Sequence, residues 1–582
     1  MVWTSPGGDY IAWRRQTALT GLLLLAMTLV ALRIPGGLFP LQQVQKQDAL
    51  PLLVLSGSLF VAAFWTPSWM LPTRGPRVLP LAVVGVAVAA LLAYGSYALM
   101  GNFPLSIDER MVVFDMAVFD RGHLAMPLAQ EWRPYATALF EAPLLNPTMP
   151  SSVVSSYLPV NALLRLGFSK FADPALFNPV LALAGGAALW DIARRTFGRD
   201  DPACWVVLLV YALSAQMLVN AMTVYSMTAH MALNLIWLAA FLRGGRAGHS
   251  IAILTGFIAT GLHQLAFHPF FVAPFLLWRL RHGDWKLVLV YAAAYAAIVG
   301  WWSSYLMLVS HDVTAGAHQL PPNISFVSRI ATTFAERRGD TIITTLCNLL
   351  RFFAWQNLAL LPLLAAALAA ALRDRGLPAV LLLGIGLWMT FITIVIPFQG
   401  SGWGYRYFHP YLGSFALLAG YGYRELKAVI DQRADGLVLG LSYMTAVATI
   451  PALFFGAHRF LAPYLSLERL ISEQRTHIVL VDTDVGMTTK GGWSGNAIEN
   501  VHNLPDLSDR PLRFSSLGTN VELLARLCHR SQITLITRSD QRRAGFPLVT
   551  APDSPRFAAQ VAAVRQSMPN CFEPASGVTA HG

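Results

Sequence analysis

The sequence predicts a polytopic all-α membrane protein, with about thirteen transmembrane helices and a small C-terminal α/β domain outside the membrane. Three observations predict it. Of 582 residues, 55% are hydrophobic and only 13% charged, against roughly 25% charged in an average soluble domain. Many windows reach the ~20 apolar residues that cross a bilayer. Beyond Arg459 those windows stop and short β-branched runs begin. The net charge of +11 comes mostly from Arg and Lys in short loops beside apolar windows. There they set topology, so no nucleic-acid partner is expected. No Cys-x-x-Cys or Cys/His cluster with metal spacing occurs, and neither a metal nor a cofactor is expected.

Arg14 and Arg15 precede the first span, Thr17 to Ile34. No small-residue cleavage site follows, so it reads as an anchor and not a signal peptide. Span two is about Ala49 to Trp65, and span three is Val78 to Met100. Ser106 to Pro159 is then the longest polar interruption before residue 457. Spans four to six are Pro174 to Ala193, Ala203 to Met222 and Ser226 to Leu242. Ile251 to Leu280 is too long for one straight span and reads as two short helices, seven and eight, meeting near His263 to Pro269. Span nine is Leu287 to Val309. A polar loop, Ser310 to Asp340, and an amphipathic piece, Thr341 to Phe353, lead to span ten, Trp355 to Leu372. Spans eleven to thirteen are Leu377 to Pro397, Pro410 to Tyr423 and Gly436 to Phe455.

With the N-terminus in the cytoplasm, the short inner loops are rich in Arg and Lys, from Arg74 and Arg77 to Arg424, Lys427 and Arg433. The short outer loops carry little beyond Lys46 and Arg406. That asymmetry fits the positive-inside rule. It places Ser106–Pro159, Gln399–His409 and the tail on the outer face. In the tail, His477 to Val481 and Ile533 to Thr537 read as strands, with an amphipathic helix, Asn520 to His529, between them. Lys490 to Gly495 is a glycine-rich loop without the spacing of a phosphate-binding fingerprint. Cys528 and Cys571 share the tail and could pair in an oxidising compartment.

Candidate chemistry gathers on the outer face. Asp108 and Glu109 lie a few residues past span three, and acids so near hydrocarbon usually face a wet cavity. An Asp there can act as general base toward a hydroxyl. Arg406 is the cation of its short loop, where a planar guanidinium suits a phosphate or a bridge to a carboxylate. Trp403, Tyr405 and Tyr407 could stack on sugars or anchor helices at the interface. His263 and His268, at the break between half-helices, either bind phosphate or stay packed, and His230 is similar. Arg133, Arg165, Lys170 and Arg351 are further cations that spacing alone does not rank.

A span, then Asp108-Glu109, then Ser156-Tyr157-Leu158-Pro159, then a broken hairpin at Gly261 to Pro274, then Gly404-Tyr405-Arg406-Tyr407 before a late span: this order resembles the GT-C superfamily of membrane glycosyltransferases. Its closer relatives include the lipid A aminoarabinose transferases, protein O-mannosyltransferases and rhizobial lipopolysaccharide galacturonosyltransferases. The resemblance covers roughly residues 78 to 456. It implies an inverting transferase that takes a sugar from a polyprenyl-phosphate donor to a lipid, glycan or protein acceptor. It places the enzyme in a bacterial cytoplasmic membrane, amid membrane lipids, with the active site and tail facing the periplasm. It implies Asp108 as the catalytic carboxylate, with Glu109 beside it; the residues themselves offer Arg406, His263 and His268 as donor-phosphate ligands. Arg133, Tyr157, Tyr405, Tyr407 and His409 are the candidate substrate contacts. The domains expected are two N-terminal helices over 1–77, a GT-C-like catalytic domain over 78–456 with the outer loop 101–173, and an α/β domain over 457–582. Two departures stand out. The Asp-Glu loop follows the third span and not the first, so two N-terminal spans read as an addition. His263-Gln264 also stands where many relatives carry Lys. A transporter or flippase for lipid-linked sugars is the alternative, but the chain has no clear internal repeat and its acids lie in loops.

A cysteine introduced into the tail is expected to react with a membrane-impermeant thiol reagent from the outer side. Labelling from the cytoplasmic side alone would overturn this topology.

Overall fold

The computed structural model describes residues 6–35, 38–140, 151–313, 341–400, 402–484, 497–546 and 552–575. The expected loops at 314–340 and 490–495 lie outside them. The chain divides into two compact units, Met1–Leu99 with Phe171–Ser303 and Phe326–Ala457, and Met100–Lys170 with Ser304–Ser325 and His458–Gly582.

The first unit is helical and membrane-spanning. Among the described residues of the chain, seven helices are long and apolar enough to cross a bilayer, or eight if the bent pair Ala203–Ala212 and Ala215–Ala221 is one span. Thirteen is therefore not reached by this measure. Apolar helices such as Met227–Arg243, Thr341–Ala354 and Leu360–Arg373 are only 17, 14 and 14 residues long, short of the ~20 that a full crossing takes. The broken hairpin forms as two helices, Gly245–Thr260 and Phe267–Arg281. Lipid-facing surface is plain on Val78–Ala98, where Leu79, Val83, Val86 and Leu91 stand exposed. The first helix, Pro6–Arg33, packs on the second, Phe39–Phe64. The two backbones approach closely at Gly21, where a Cβ would sit 2.8 Å from the Ser56 carbonyl oxygen; small residues allow such crossings in membranes. The second helix carries a π turn over Val44–Asp48.

The second unit has a mixed core. Strands β1 (Met126–Pro127) and β2 (Ser152–Val153) pair antiparallel. β3 (Ile478–Val481), β4 (Leu512–Ser515), β5 (Ile533–Ile536) and β6 (Phe572–Pro574) form a parallel sheet in the order β4-β3-β5-β6. β3, β4 and β5 are buried along their whole length, as parallel strands covered on both faces must be. One continuous apolar cluster joins Ile478, Phe514, Leu535 and Val561 to Met111, Phe114 and Val118 of the helix Ile107–Asp120. The helix of the Asp-Glu segment thus shares its core with the C-terminal sheet.

The helix Val521–Cys528 and the residue before β6 are joined by a disulfide, Cys528–Cys571, with Cα atoms 5.3 Å apart and a sequence separation of 43. Cross-linking a loop of that size restricts the unfolded chain and is worth roughly 2–4 kcal/mol. Cys571→Ser is expected to destabilise the second unit by about that amount. Chemical denaturation, followed by protease resistance of the tail, measures it. An unchanged midpoint would mean that the bridge constrains nothing the fold does not already hold.

Candidate active site

Ser106 caps the helix Ile107–Asp120. Its Oγ accepts from the Glu109 N–H at 3.3 Å, and Glu109 Oε2 accepts from the Ser106 N–H at 3.1 Å. The Ser-x-x-Glu spacing encodes this reciprocal cap. It engages the Glu109 carboxylate, which is 1% exposed. Asp108, one residue earlier, is half-buried. Its Oδ1 accepts a 2.5 Å hydrogen bond from Tyr157 Oη. Two acids that look alike in sequence therefore stand in different places: Glu109 holds the helix start, and Asp108 meets the Tyr157 segment.

That segment is held a second time. The Tyr157 N–H donates to Ser155 Oγ at 3.0 Å, and Ser155 hydrogen-bonds the Asp115 carboxyl through both its side chain and its backbone. Asp115 lies seven residues beyond Asp108, about two turns, on the same helix face. Burial pushes its carboxyl well above the ordinary range, with the Ser155 bonds offsetting part of the rise. Sequence reasoning missed Asp115 and Ser155; two acids seven apart behind a capping serine were the available signal. Arg165, on Val160–Ser169, is buried. Burial lowers its guanidinium to about 9, and the Glu109 carboxylate opposes the shift. Arg133 is exposed and donates from Nε to the Leu128 carbonyl at 3.2 Å. A cavity of about 80 Å³ opens on another side of the helix, lined by Arg110, Phe114, Leu139 and His502.

In the first unit, Arg406 begins the turn Arg406–Tyr411 and is buried. Its Nε donates to the Gln399 carbonyl at 2.8 Å, and Nη2 donates to the same oxygen. Its guanidinium carbon lies 5.2 Å from the Tyr225 ring centre and 5.9 Å from that of Tyr407, within cation–π range. The loop ahead of it is tied down carbonyl by carbonyl. Arg351 Nη2 donates to Gly402, Asn220 Nδ2 to Trp403, Gln399 Nε2 to Gly404 and Gln216 Nε2 to Tyr405, at 3.1, 3.3, 3.0 and 2.9 Å. Gly404 has φ +67°, which a side chain would strain. Tyr405 is fully buried, and Tyr407 Oη donates to the Phe398 carbonyl at 3.2 Å.

The histidines separate. His268 has Asn234 Oδ1 at 2.7 Å on Nδ1 and Tyr295 Oη at 2.8 Å on Nε2. Both ring nitrogens are thus engaged with neighbouring helices of the first unit. His263 is buried with its ring edge-on to Phe267. His409 is fully buried, and its ring nitrogens have no hydrogen-bond partner among the described residues. Asp108, Glu109, Arg133 and Tyr157 belong to the second unit, and Arg406, His263, His268, Tyr405, Tyr407 and His409 to the first.

No protein-family model matches the chain, and no curated protein matches it. Among solved structures it is similar to ArnT from Cupriavidus metallidurans. The apo form gives 14% identity over 73% of this chain and 85% of that one, with a TM-score of 0.45. The form bound to undecaprenyl phosphate gives 13% identity over 86% and 90%, with a TM-score of 0.47. Arabinofuranosyltransferase AftD from Mycobacteria gives 15% identity over 79% of this chain and 33% of that one, with a TM-score of 0.40.

Asp115 gives a pH prediction. An acid whose folded value is raised binds its proton more tightly in the fold. Its stability contribution is therefore full below the ordinary value of 3.8 and is lost as pH rises toward the folded value. Asp115→Asn removes that loss. In thermal unfolding, the variant is expected to gain on the wild type progressively as pH rises above about 4. A constant difference across the range would mean that the folded protein holds Asp115 ionised.

Proposed function

We propose that the protein is a glycosyltransferase, moving a sugar from a polyprenyl-phosphate donor to a cell-envelope lipid, glycan or protein acceptor at the outer face of the cytoplasmic membrane. One observation carries the reading: Asp108, half-buried in the first turn of its helix just past the span Val78–Ala98, is bonded to Tyr157. Orientation by a phenol donor and a helix N-terminus suits an anion. In this reading Asp108 takes the proton of the acceptor hydroxyl. The hydroxyl oxygen bonds to the anomeric carbon as the bond to the donor phosphate breaks, and polyprenyl phosphate leaves with the electron pair. The attack from the opposite side inverts the centre.

Charge that grows on the leaving phosphate needs a fixed cation. Arg406 is the cation that the sequence offers for it. Glu109 maintains the helix start that carries Asp108, and Tyr157 orients the base. The sequence pattern that resembles the GT-C superfamily supports the same assignment.

Purified protein in detergent, given a polyprenyl-phosphate sugar and envelope acceptors, is expected to turn over. Asp108→Asn should lower kcat by at least ~10²-fold with unchanged expression and melting. Tyr157→Phe should cost roughly ten- to hundredfold, the worth of one hydrogen bond to a charged group. Near-normal turnover of Asp108→Asn would remove Asp108 as the base. Movement of intact donor between leaflets without its consumption would replace the enzyme by a transporter.

A further inference from the structure

The two N-terminal helices, which the sequence offers as an addition, end in a polar cluster inside the first unit. Asp48 and Arg351 are each 0% exposed and ion-paired, Arg351 Nε to Asp48 Oδ2 at 2.8 Å. Trp355 Nε1 donates to Asp48 Oδ1 at 2.6 Å, and Arg351 Nη1 donates to Gln43 Oε1. Arg351 Nη2 then reaches the Gly402 carbonyl at 3.1 Å. Every guanidinium nitrogen is used.

The π turn explains how one helix supplies two of the acceptors. In an α-helix, residues five apart point about 140° from each other. A turn closed by i→i+5 bonds stacks them instead, and such turns recur at functional sites. Val44–Asp48 is such a turn, and Gln43 and Asp48 grip one guanidinium from the same side. An ionic pair buried among membrane helices is expensive and marks a task. Simple packing of the second helix needs no charge, because apolar residues of the same volume hold helices as well or better.

We propose that Asp48 and Gln43 are positioning residues: they orient Arg351 so that it anchors Gly402 and fixes the loop that presents Arg406. The N-terminal helix pair is then part of the donor-binding apparatus. This rests on the reading of Arg406 as the cation for the donor phosphate. The consequence for the loop itself does not.

Two readouts on full-length protein in detergent separate these levels. In Asp48→Asn, backbone amides of residues 399–409 are expected to exchange with deuterium about tenfold faster, while those of β3 stay at the wild-type rate. The Michaelis constant for the polyprenyl-phosphate sugar should rise severalfold, with that for the acceptor unchanged. Gln43→Ala, which removes a neutral acceptor and leaves the ion pair, should show the same pattern in weaker form and serves if Asp48→Asn does not fold. The double variant Asp48→Asn/Arg351→Gln, free of an orphaned charge, should recover melting temperature but not the slow exchange of the loop. Wild-type exchange at 399–409 in both single variants would overturn the proposal, as would a uniform rise over all peptides. A wild-type protein without turnover would end the transferase reading, and the exchange result would still decide this one.

Discussion

Hydrocarbon cannot solvate a charge or a bare carbonyl, so the first unit has to supply its own solvent. The strongest instance is the pair of Asp48 and Arg351, both fully enclosed. Asp48 takes donors from Arg351 and Trp355, and Arg351 gives to Asp48, Gln43 and Gly402. The same constraint governs residues 402–405, where the backbone is not helical and four consecutive carbonyls each receive a side-chain donor. Irregular backbone survives among membrane helices only on those terms. The loop is therefore defined by its partners: Gln399 from the same stretch, and Gln216, Asn220 and Arg351 from helices far away in sequence.

The second unit answers a different constraint. A parallel sheet needs cover on both faces, and part of the cover comes from the helix Ile107–Asp120, through Met111, Phe114 and Val118. Asp108 consequently rides on a helix packed into a folded core and is not on a free loop. Reactive groups held by such elements keep their geometry better than groups on loops. Changes in the C-terminal sheet should be felt at the helix that carries Asp108.

Local signals were legible in the sequence. β3 and β5 fall where the β-branched runs lay, Val521–Cys528 within the amphipathic stretch, and the two half-helices on either side of His263. Cys528 and Cys571 pair as their shared place in the tail allowed. β4 was not legible, because Leu512–Ser515 has no β-branched residue and contains Arg513, a residue rarely read as strand interior. Asp48 was missed for a clearer reason. Gln45-Lys46-Gln47-Asp48 looks like a polar loop before a span, yet it is helical, and the partners of Asp48 lie some 300 residues away. Long-range pairing of charges leaves no periodicity to read.

Three of the four acids on one helix show how far position decides chemistry. Asp108, Glu109 and Asp115 have similar intrinsic acidity. Glu109, at the third helical position, is consumed by the cap. Asp115 is enclosed, and its proton is held by burial against the pull of Ser155. Asp108 keeps partial exposure and a phenol donor at the positive end of the helix. Of the three, it alone combines orientation with access. That difference comes from the register of the helix against the 155–157 segment, since a shift of one residue would turn Asp108 about 100° away from Tyr157. Ser106 fixes where the helix begins and so fixes that register. A capping serine, chemically inert itself, thereby determines which neighbouring carboxylate meets Tyr157.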